Sequence, residues 1–404
     1  PMSDLTSSFD HVIVGGGVAA DMAARSIHEK APAATIAILS ADVDGPVYRP
    51  ALTKDLWHGE DPDPASQDLR TAEETGAELR TATSVTALDP AARTVTTTAG
   101  DTIGYGTLLL ATGASPRRLG DGEDQRVAYL RTVAEYRHLR DLVQDGTRVA
   151  VVGGGYLGTE IAAGLAHVGA EVTLHHTGRV ILEHMFPDSI TSHLTEVFQQ
   201  HGITLVSGFR LAGIDAGEHL TLTAEDGRSA AADIAVLGLG AQLAGDLARS
   251  AGLEMDGDTV VVDAQLRTSA EGVWAAGDII RFTDPLLGDR HVEHVDHAWA
   301  SGTTAGTNMA GGQEAYDYTP LFYSDLFDDG YEAIGHLDTS LEMLEVWSED
   351  RSAAVVHYLD GGQVAGILLW NTWDSVPTAR EVMAASWAGR LRREELPAQI
   401  TPGG

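Results

Sequence analysis

Two glycine clusters in this sequence have the residue types and spacing to hold phosphate groups. They are Gly15-Gly16-Gly17 and Gly153-Gly154-Gly155, and each follows an apolar run and precedes residues at helical spacing. Each cluster therefore predicts a strand, a tight turn and a helix N-terminus, where glycines admit a pyrophosphate and free N–H groups bind it. Two such turns predict two dinucleotides, and a protein that holds two usually passes a hydride between them.

The elements that must position the first turn form a β-α-β unit. Residues 10–14 predict a strand, the helix that follows is expected to end near Lys30, and residues 35–39 predict a second strand. The turn fits the dinucleotide fingerprint Gly15-x-Gly17-x-x-Ala20. An acid near the end of the second strand commonly accepts the ribose hydroxyls, and Asp42 is the acid available here.

The second turn belongs to a similar unit. A strand starts near Arg148, a helix is expected from Gly158 to about Val168, and residues 171–175 predict the next strand. Apolar runs at 201–206 and 233–240 predict later strands of the same domain. The sequence therefore repeats one kind of unit twice.

The rest of the chain predicts three domains of an α/β protein. An alternating stretch at 94–98 predicts an antiparallel meander, and buried strands are expected at 107–110 and from 273. From about Tyr316 aromatic residues become common, and strand-like runs occur at 353–358 and 364–370. We predict two Rossmann-like domains and a C-terminal α+β domain, with boundaries at 1–118 plus 242–315, 119–241 and 316–404.

Several stretches resemble apoptosis-inducing factor and related ferredoxin-reductase-type flavoproteins, which belong to the pyridine nucleotide-disulfide oxidoreductase superfamily. The matching stretches are Arg49-Pro50-Ala51-Leu52-Thr53-Lys54, Ala111-Thr112-Gly113, Ala276-Gly277-Asp278, Glu293-His294-Val295-Asp296-His297, Tyr323-Ser324-Asp325-Leu326, Gly330-Tyr331-Glu332-Ala333 and Gly366 to Asn371. The resemblance covers nearly the whole chain in the same order. It implies a glutathione-reductase-type fold with FAD on the first unit and NADH or NADPH on the second.

The resemblance also assigns binding residues. For FAD it implies Gly15, Gly17, Val18, Ala19, Ala20, Asp42, Arg49, Lys54, Val85, Ala111, Thr112, Gly113, Arg131, Gly277, Asp278, Glu293, His294 and Val295. For the nicotinamide nucleotide it implies Gly153, Gly155, Tyr156, Leu157, Gly158, Glu160, His176, Arg179, Gly240, Tyr323, Glu332 and Asn371. Forked arginine donors suit phosphate, and the glycines let the backbone approach it.

Lys54 is one of only two lysines in the chain, the other being Lys30. An ammonium near the flavin N1–C2 edge or N5 would stabilise the electron-rich reduced ring. The resemblance pairs this lysine with Glu160 and places an aromatic residue, Tyr156, over the flavin face until nicotinamide displaces it. With His294, these residues are our candidates for the catalytic site.

The choice between NADH and NADPH stays open. NAD sites usually end their second strand in an acid, whereas His176 stands there in this sequence and Arg179 is close. Without a carboxylate at this position a 2′-phosphate is not repelled, and Arg179 could bind it, so these two features favour NADPH.

Metal and thiol chemistry are not expected. His291, His294 and His297 recur every three residues, but this spacing falls within the flavoprotein-like stretch, so we predict no metal. The chain has no cysteine, which excludes disulfide relays and thiolate ligands.

The net charge of −33 repels nucleic acid and anionic membranes, so we expect neither as a partner. It also repels acidic redox proteins, although Arg117, Arg118, Arg390, Arg392 and Arg393 could form a local basic patch. No apolar run approaches about 20 residues, and the N-terminal residues lack signal-peptide features, so we expect a cytoplasmic protein.

We therefore predict an FAD-dependent oxidoreductase that takes hydride from NAD(P)H onto flavin N5 and passes electrons to an acceptor. A ferredoxin or rubredoxin, a quinone or another acceptor fits equally, and a homodimer is compatible with the sequence. The alternative implied by the resemblance is a redox-sensing protein of the apoptosis-inducing-factor type, which acts through an NADH charge-transfer complex and protein interactions.

Overall fold

Strands and helices alternate through much of the chain, as the two glycine-rich units predict. A computed structural model describes residues 6–59, 61–120 and 124–403, so the first five residues of the polar N-terminal stretch lie outside it. Its strands, in chain order, are β1 (Ser7–Val14), β2 (Ile36–Leu39), β3 (Glu78–Arg80), β4 (Val85–Asp89), β5 (Thr94–Thr97), β6 (Thr102–Leu110), β7 (Ala114–Pro116), β8 (Val127–Ala128), β9 (Arg148–Val152), β10 (Glu171–His175), β11 (Thr204–Val206), β12 (Leu211–Ala216), β13 (Leu220–Ala224), β14 (Ser229–Ala232), β15 (Ile234–Leu237), β16 (Ala241–Leu243), β17 (Met255–Asp256), β18 (Thr259–Val261), β19 (Val273–Ala275), β20 (Ile280–Asp284), β21 (Gly288–His291), β22 (Leu321–Leu326), β23 (Asp329–Gly335), β24 (Glu342–Trp347), β25 (Ala354–Asp360) and β26 (Gln363–Trp370).

The helices of the described residues vary from single turns to four turns. They are α1 (Val18–Lys30), α2 (Asp55–His58), α3 (Thr71–Thr75), α4 (Val133–Leu142), α5 (Tyr156–His167), α6 (Asp188–Gln200), α7 (Asp246–Ser250), α8 (Val295–Met309) and α9 (Val376–Trp387). Short 3-10 helices occur at Arg49–Leu52, Pro64–Gln67, Gly277–Ile279 and Arg393–Ala398. Within the described ranges, no helix is both long and apolar enough to cross a membrane.

Contacts divide the chain into two compact units. The first comprises Pro1–Arg49, Asp63–Ser115 and Ala241–Pro320, and the second comprises Pro50–Pro62, Pro116–Gly240 and Leu321–Gly404. Each unit is discontinuous in sequence. The finer division into three domains stays a prediction.

The first unit is built on a seven-stranded sheet. Its order is β3-β2-β1-β6-β5-β4, with β19 also paired to β6. Strands β1, β2, β3, β6 and β19 run parallel, whereas β4, β5 and β6 form the antiparallel meander that the sequence predicts. Val12, Ile13 and Leu108 have no exposed surface, because a parallel strand covered on both faces buries a continuous apolar run.

Helices α1 and α8 of the first unit approach each other through small residues. A β-carbon added at Gly302 would lie 2.4 Å from the Ala19 carbonyl oxygen, and one at Gly306 would lie 2.4 Å from the Ala23 oxygen. Only glycine therefore fits at these two positions of α8. The contact fixes the first turns of α1, which follow the first glycine cluster.

The second unit holds a parallel sheet of five strands in the order β11-β10-β9-β15-β8. It also contains the antiparallel sheet β12-β13-β14 and an antiparallel sheet in the order β22-β23-β26-β25-β24. The last of these confirms the strands expected near 353–358 and 364–370. The α/β class, with Rossmann-like folds and a C-terminal region that differs from them, is thus confirmed.

Some element bounds differ from the predictions. Strand β1 begins at Ser7 rather than at residue 10, and β6 begins at Thr102 rather than at residue 107. The first halves of both strands mix polar and apolar residues, so the search for continuous apolar runs missed them. Helix α5 begins at Tyr156 rather than at Gly158, because Gly155 has the extended backbone of an N-cap. Tyr156 is therefore the first helical residue and not part of the turn.

Candidate active site

The first glycine turn lies at the carboxyl ends of the parallel strands in the first unit. Gly15 has φ +127°, and a β-carbon there would lie 2.0 Å from the Ala111 carbonyl oxygen. A β-carbon at Gly16 would lie 2.2 Å from the Ser40 hydroxyl oxygen, whereas one at Gly17 would meet only the Arg49 Nε, at 3.9 Å. The turn is thus closed towards the sheet and open towards Arg49, which fits a dinucleotide pyrophosphate.

Arg49 and Asp42, predicted to hold phosphate and ribose respectively, form an ion pair with each other. The Ala82 amide donates to the Asp42 carbonyl at 2.7 Å, and the Thr83 amide donates to the Ser40 carbonyl at 2.7 Å. This places the segment that leads to Val85 beside the end of β2. Three predicted FAD residues, Asp42 for the ribose, Arg49 for phosphate and Val85 for its backbone, therefore belong to segments that adjoin one turn.

The remaining FAD candidates of the first unit reach the same strand ends. The Thr112 hydroxyl donates to the Ala244 carbonyl at 2.8 Å. Gly277 has φ +77°, its amide donates to the Ser301 hydroxyl oxygen at 3.0 Å, and a β-carbon there would lie 3.2 Å from the Ala19 β-carbon. Asp278 is therefore brought next to the first turn of α1, which carries Val18, Ala19 and Ala20.

Two buried histidines at the start of α8, His294 and His297, have lowered pKa values and are neutral at pH 7. His294 is the N-cap of α8, which begins at Val295, and burial lowers the pKa of His294 to about 4, with Arg290 and His291 acting in the same direction. Burial also lowers the pKa of His297 to about 3, and its Nδ1 lies 2.7 Å from the Tyr316 hydroxyl. His291 Nε2 lies 2.6 Å from the Asp278 carbonyl oxygen and 3.8 Å from a Glu293 carboxylate oxygen.

His291 and His297 therefore have separate partners. In residues 6–59, 61–120 and 124–403, no three histidine or acidic side chains are grouped as metal ligands would be.

The second glycine turn repeats the geometry of the first within the second unit. Gly153 has φ +131°, and a β-carbon there would lie 2.5 Å from the Gly238 carbonyl oxygen. A β-carbon at Gly158 would lie 1.9 Å from the Gly153 oxygen, whereas Gly155 borders open space. The turn is held against the ends of β9 and β15 and leaves the N-terminus of α5 accessible, which fits a second dinucleotide.

The nicotinamide-side candidates near this turn are partly exposed. Tyr156 and Leu157, the first two residues of α5, are 40% and 38% exposed. Gly240 has φ +91°, and a β-carbon there would lie 3.9 Å from Arg117 Cδ.

Arg131, predicted for the FAD site, belongs to the second unit, where its amide donates to Glu135 at 2.9 Å.

Lys54 and Glu160 form the ion pair that the resemblance implies, entirely within the second unit. The Lys54 Nζ lies 3.5 Å from Glu160 Oε1, donates to the Tyr323 carbonyl at 3.0 Å and lies 4.2 Å from the centre of the Tyr323 ring. The two side chains are only 12% and 6% exposed. Such a pair is held with little solvent screening.

Two hydroxyl groups that the sequence analysis did not assign to the site complete this cluster. Thr53 donates to Glu160 Oε2 at 2.7 Å, and Ser324 donates to Glu160 Oε1. Both residues lie beside predicted ones, Lys54 and Tyr323, so the motifs contained them without indicating their partner. With these donors, each oxygen of the buried Glu160 carboxylate accepts a hydrogen bond.

The two other candidates on the C-terminal sheet have different surroundings. Burial raises the pKa of Glu332, and the Asp374 and Asp325 carboxylates act in the same direction. Asn371 accepts from the Gly330 amide and donates to Asp329, both at 2.8 Å. Asn371 thus closes a turn of the sheet, while Glu332 lies opposite Tyr323 in the strand register.

Comparison with known proteins agrees with this geometry. Residues 9–302 match the family model described as pyridine nucleotide-disulphide oxidoreductase, and residues 305–354 match that of the apoptosis-inducing factor, mitochondrion-associated, C-term. The mitochondrial apoptosis-inducing factor 1 of Dictyostelium discoideum is 31% identical, over 93% of this chain and 78% of that protein. The ferredoxin–NAD(+) reductase component of the anthranilate 1,2-dioxygenase system of Burkholderia cepacia is 31% identical, over 93% of this chain and 94% of that protein.

A solved ferredoxin reductase from Rhodopseudomonas palustris has the same fold. It superposes with a TM-score of 0.83 at 27% identity and covers 92% of this chain and 93% of its own. Two glycine turns that fit two dinucleotides, a family match over most of the chain and the absence of cysteine lead to one assignment. The chain belongs to the pyridine nucleotide-disulphide oxidoreductase family and is an FAD-dependent oxidoreductase of NAD(P)H that has no disulphide of its own.

Proposed function

We propose that this enzyme carries electrons from NAD(P)H to a ferredoxin-type protein. The observation that carries the proposal is the similarity to the Burkholderia cepacia ferredoxin–NAD(+) reductase component, which extends over nearly the full length of both chains. The lack of cysteine agrees with it, because electrons that cannot pass through a protein thiol must go directly to the acceptor.

When bound, FAD supplies a ring that accepts hydride from NAD(P)H and yields its electrons to the acceptor. The chain itself needs no acid or base for hydride transfer, so its residues act by binding and charge. Arg49 and the two glycine turns would hold the phosphates. We propose that Lys54 favours the electron-rich reduced flavin, with Glu160, Thr53, Ser324 and the Tyr323 carbonyl fixing the position of its ammonium group.

The remaining predicted roles stay proposals. They include the FAD contacts of Val85, Arg131, Asp278, Glu293 and His294, the nicotinamide contacts of Tyr156, Glu332 and Asn371, a cytoplasmic location and a homodimer. Spectral titration with FAD and nicotinamide nucleotides would test the contacts one by one.

An acceptor panel tests the main proposal. The flavin is first reduced with NADH or NADPH in an anaerobic stopped-flow instrument, and its reoxidation is followed with a ferredoxin, a rubredoxin, a small quinone and oxygen. We expect kcat/KM with one of the iron–sulfur proteins to exceed that with the quinone by at least about tenfold. A quinone faster than every protein acceptor would contradict the proposal.

A second function has its own support in the match of residues 305–354 to the C-terminal region of apoptosis-inducing factor. In that case the protein would act as a redox sensor rather than as a reductase. Slow reoxidation by every acceptor, together with a change of oligomer size on addition of NADH, would favour it. Anaerobic analytical ultracentrifugation with and without NADH measures that change.

A further inference from the structure

The loop after β10 folds back onto the second glycine turn. The Leu182 amide donates to the Gly154 carbonyl at 2.9 Å, and a β-carbon at Gly154 would lie 2.6 Å from the His176 β-carbon. Residues from His176 to Leu182 therefore border the turn. In dinucleotide-binding units the adenine ribose lies at this position, beside the end of the second strand.

Glu183 follows directly and has a fixed carboxylate. Its Oε2 accepts from the Arg179 amide at 3.0 Å, and its Oε1 lies 2.2 Å from the place that a β-carbon at Gly178 would take. Its carbonyl accepts from the Thr339 hydroxyl at 2.8 Å, and its side chain is only 20% exposed. The carboxylate thus closes the loop 178–183 in one position.

Among the described residues, the nearest other side chains at this edge leave the carboxylate without a buried cation partner. The His184 Nε2 lies 3.8 Å from Glu183 Oε1, but the His184 side chain is 91% exposed to solvent. Burial lowers the pKa of His176, so its imidazole is neutral at pH 7. The Arg179 guanidinium is 69% exposed and donates to Asp188 at 2.8 Å. His176 and Arg179 are the two residues whose types favoured NADPH in the sequence. In the structure His176 is a neutral ring, and Arg179 is a cation that is already paired with an acid.

We propose that Glu183 selects NADH over NADPH, in place of the acid that usually ends the second strand. The proposal rests on the proposed function, since it concerns the nucleotide of that reaction. A carboxylate accepts hydrogen bonds from ribose hydroxyls and repels a 2′-phosphate. The Glu183 carboxylate comes from the loop rather than from the end of the strand. His176 can therefore occupy the position of the usual acid while the enzyme still selects NADH over NADPH.

Calorimetric titration tests this role without turnover. The oxidised holoenzyme is titrated with NAD+ and NADP+, and with 5′-AMP and 2′,5′-ADP, which differ only in the 2′-phosphate. We expect the wild type to bind NAD+ at least about tenfold more tightly than NADP+. Glu183→Gln keeps an oxygen acceptor for the Arg179 amide, so the loop should persist while the ratio falls to within about threefold.

Glu183→Arg should reverse the preference, and Glu196→Gln on α6, an exposed acid of the same unit, should leave the ratio unchanged. Equal wild-type affinity for NAD+ and NADP+, or an unchanged ratio in a Glu183→Gln variant that still binds NAD+, would overturn the role of Glu183 alone. A wild type that binds neither nucleotide would overturn the proposed function with it.

Discussion

At the scale of single residues, Glu160 has the most specific surroundings in the candidate site. Its carboxylate meets Lys54, Thr53 and Ser324, which come from two other segments of the second unit. The ion pair could be predicted from a resemblance between motifs. The two hydroxyl contacts could not, because they depend on which segments the tertiary fold brings against α5, and no local pattern encodes that.

Replacement of Lys54 tests whether its charge acts on the flavin. Lys54→Gln removes a positive charge that would favour the reduced ring, so we expect the flavin midpoint potential to fall by about 30 mV, which is about tenfold in equilibrium terms for two electrons. The rate of reduction by NADH should fall with it. Spectroelectrochemical titration and anaerobic stopped-flow measure the two quantities.

Lys30→Gln is the matched control, because Lys30 is the other lysine of the chain and lies exposed at the end of α1. It should leave both quantities at their wild-type values. If Lys54→Gln also leaves them there while the variant keeps its flavin, Lys54 has only a structural role in the second unit.

At the scale of elements, the α1–α8 contact supports the first glycine turn. Residues Ala19 and Ala23 of α1 face Gly302 and Gly306 of α8 at distances that exclude any β-carbon on α8. The four-residue spacing of the glycines is visible in the sequence, and it indicates a close helix contact once both helices are known. The sequence does not indicate which helix is the partner, because α1 ends at Lys30 and α8 begins only at Val295.

Gly306→Ala should therefore weaken the first unit. The added methyl group must displace α1, and overpacking of this kind costs about 1–3 kcal/mol. We expect the thermal unfolding midpoint to fall by about 5 °C and FAD to dissociate more readily, since α1 directly follows the glycine turn proposed to bind it. Thr304→Ala on the same helix is the control and should change neither quantity by as much. Wild-type values in Gly306→Ala would mean that the helices separate without cost.

The secondary structure was predictable to different degrees in the two kinds of sheet. The parallel strands β1, β2, β9 and β10 were found because strands buried on both faces are continuous apolar runs next to glycine turns. The starts of β1 and β6 were missed, because their polar first halves do not show that pattern. The C-terminal strands β25 and β26 were found near their true bounds, since six of seven and seven of eight residues are buried.

At the scale of the whole molecule, charge decides which acceptors approach easily. The net charge is −33, and the arginines that could form a local basic patch are mostly paired. Arg118 contacts Glu135, Arg392 contacts Glu394 and Glu395, and Arg393 contacts Glu342. Ion pairs of this kind leave little net positive field to attract an acidic protein.

The dependence of turnover on salt follows from this charge. Between ionic strengths of about 0.01 M and 0.1 M the screening length falls from about 30 Å to about 10 Å. We expect kcat/KM with an acidic ferredoxin to rise several-fold over this range, because salt screens its repulsion, and kcat/KM with a basic cytochrome to fall. An uncharged quinone is the control and should show little change. If kcat/KM with the acidic ferredoxin falls instead, a local group of arginines, rather than the net charge, governs docking. Charge reversal at Arg117 and Arg390 would then test whether these arginines belong to that group.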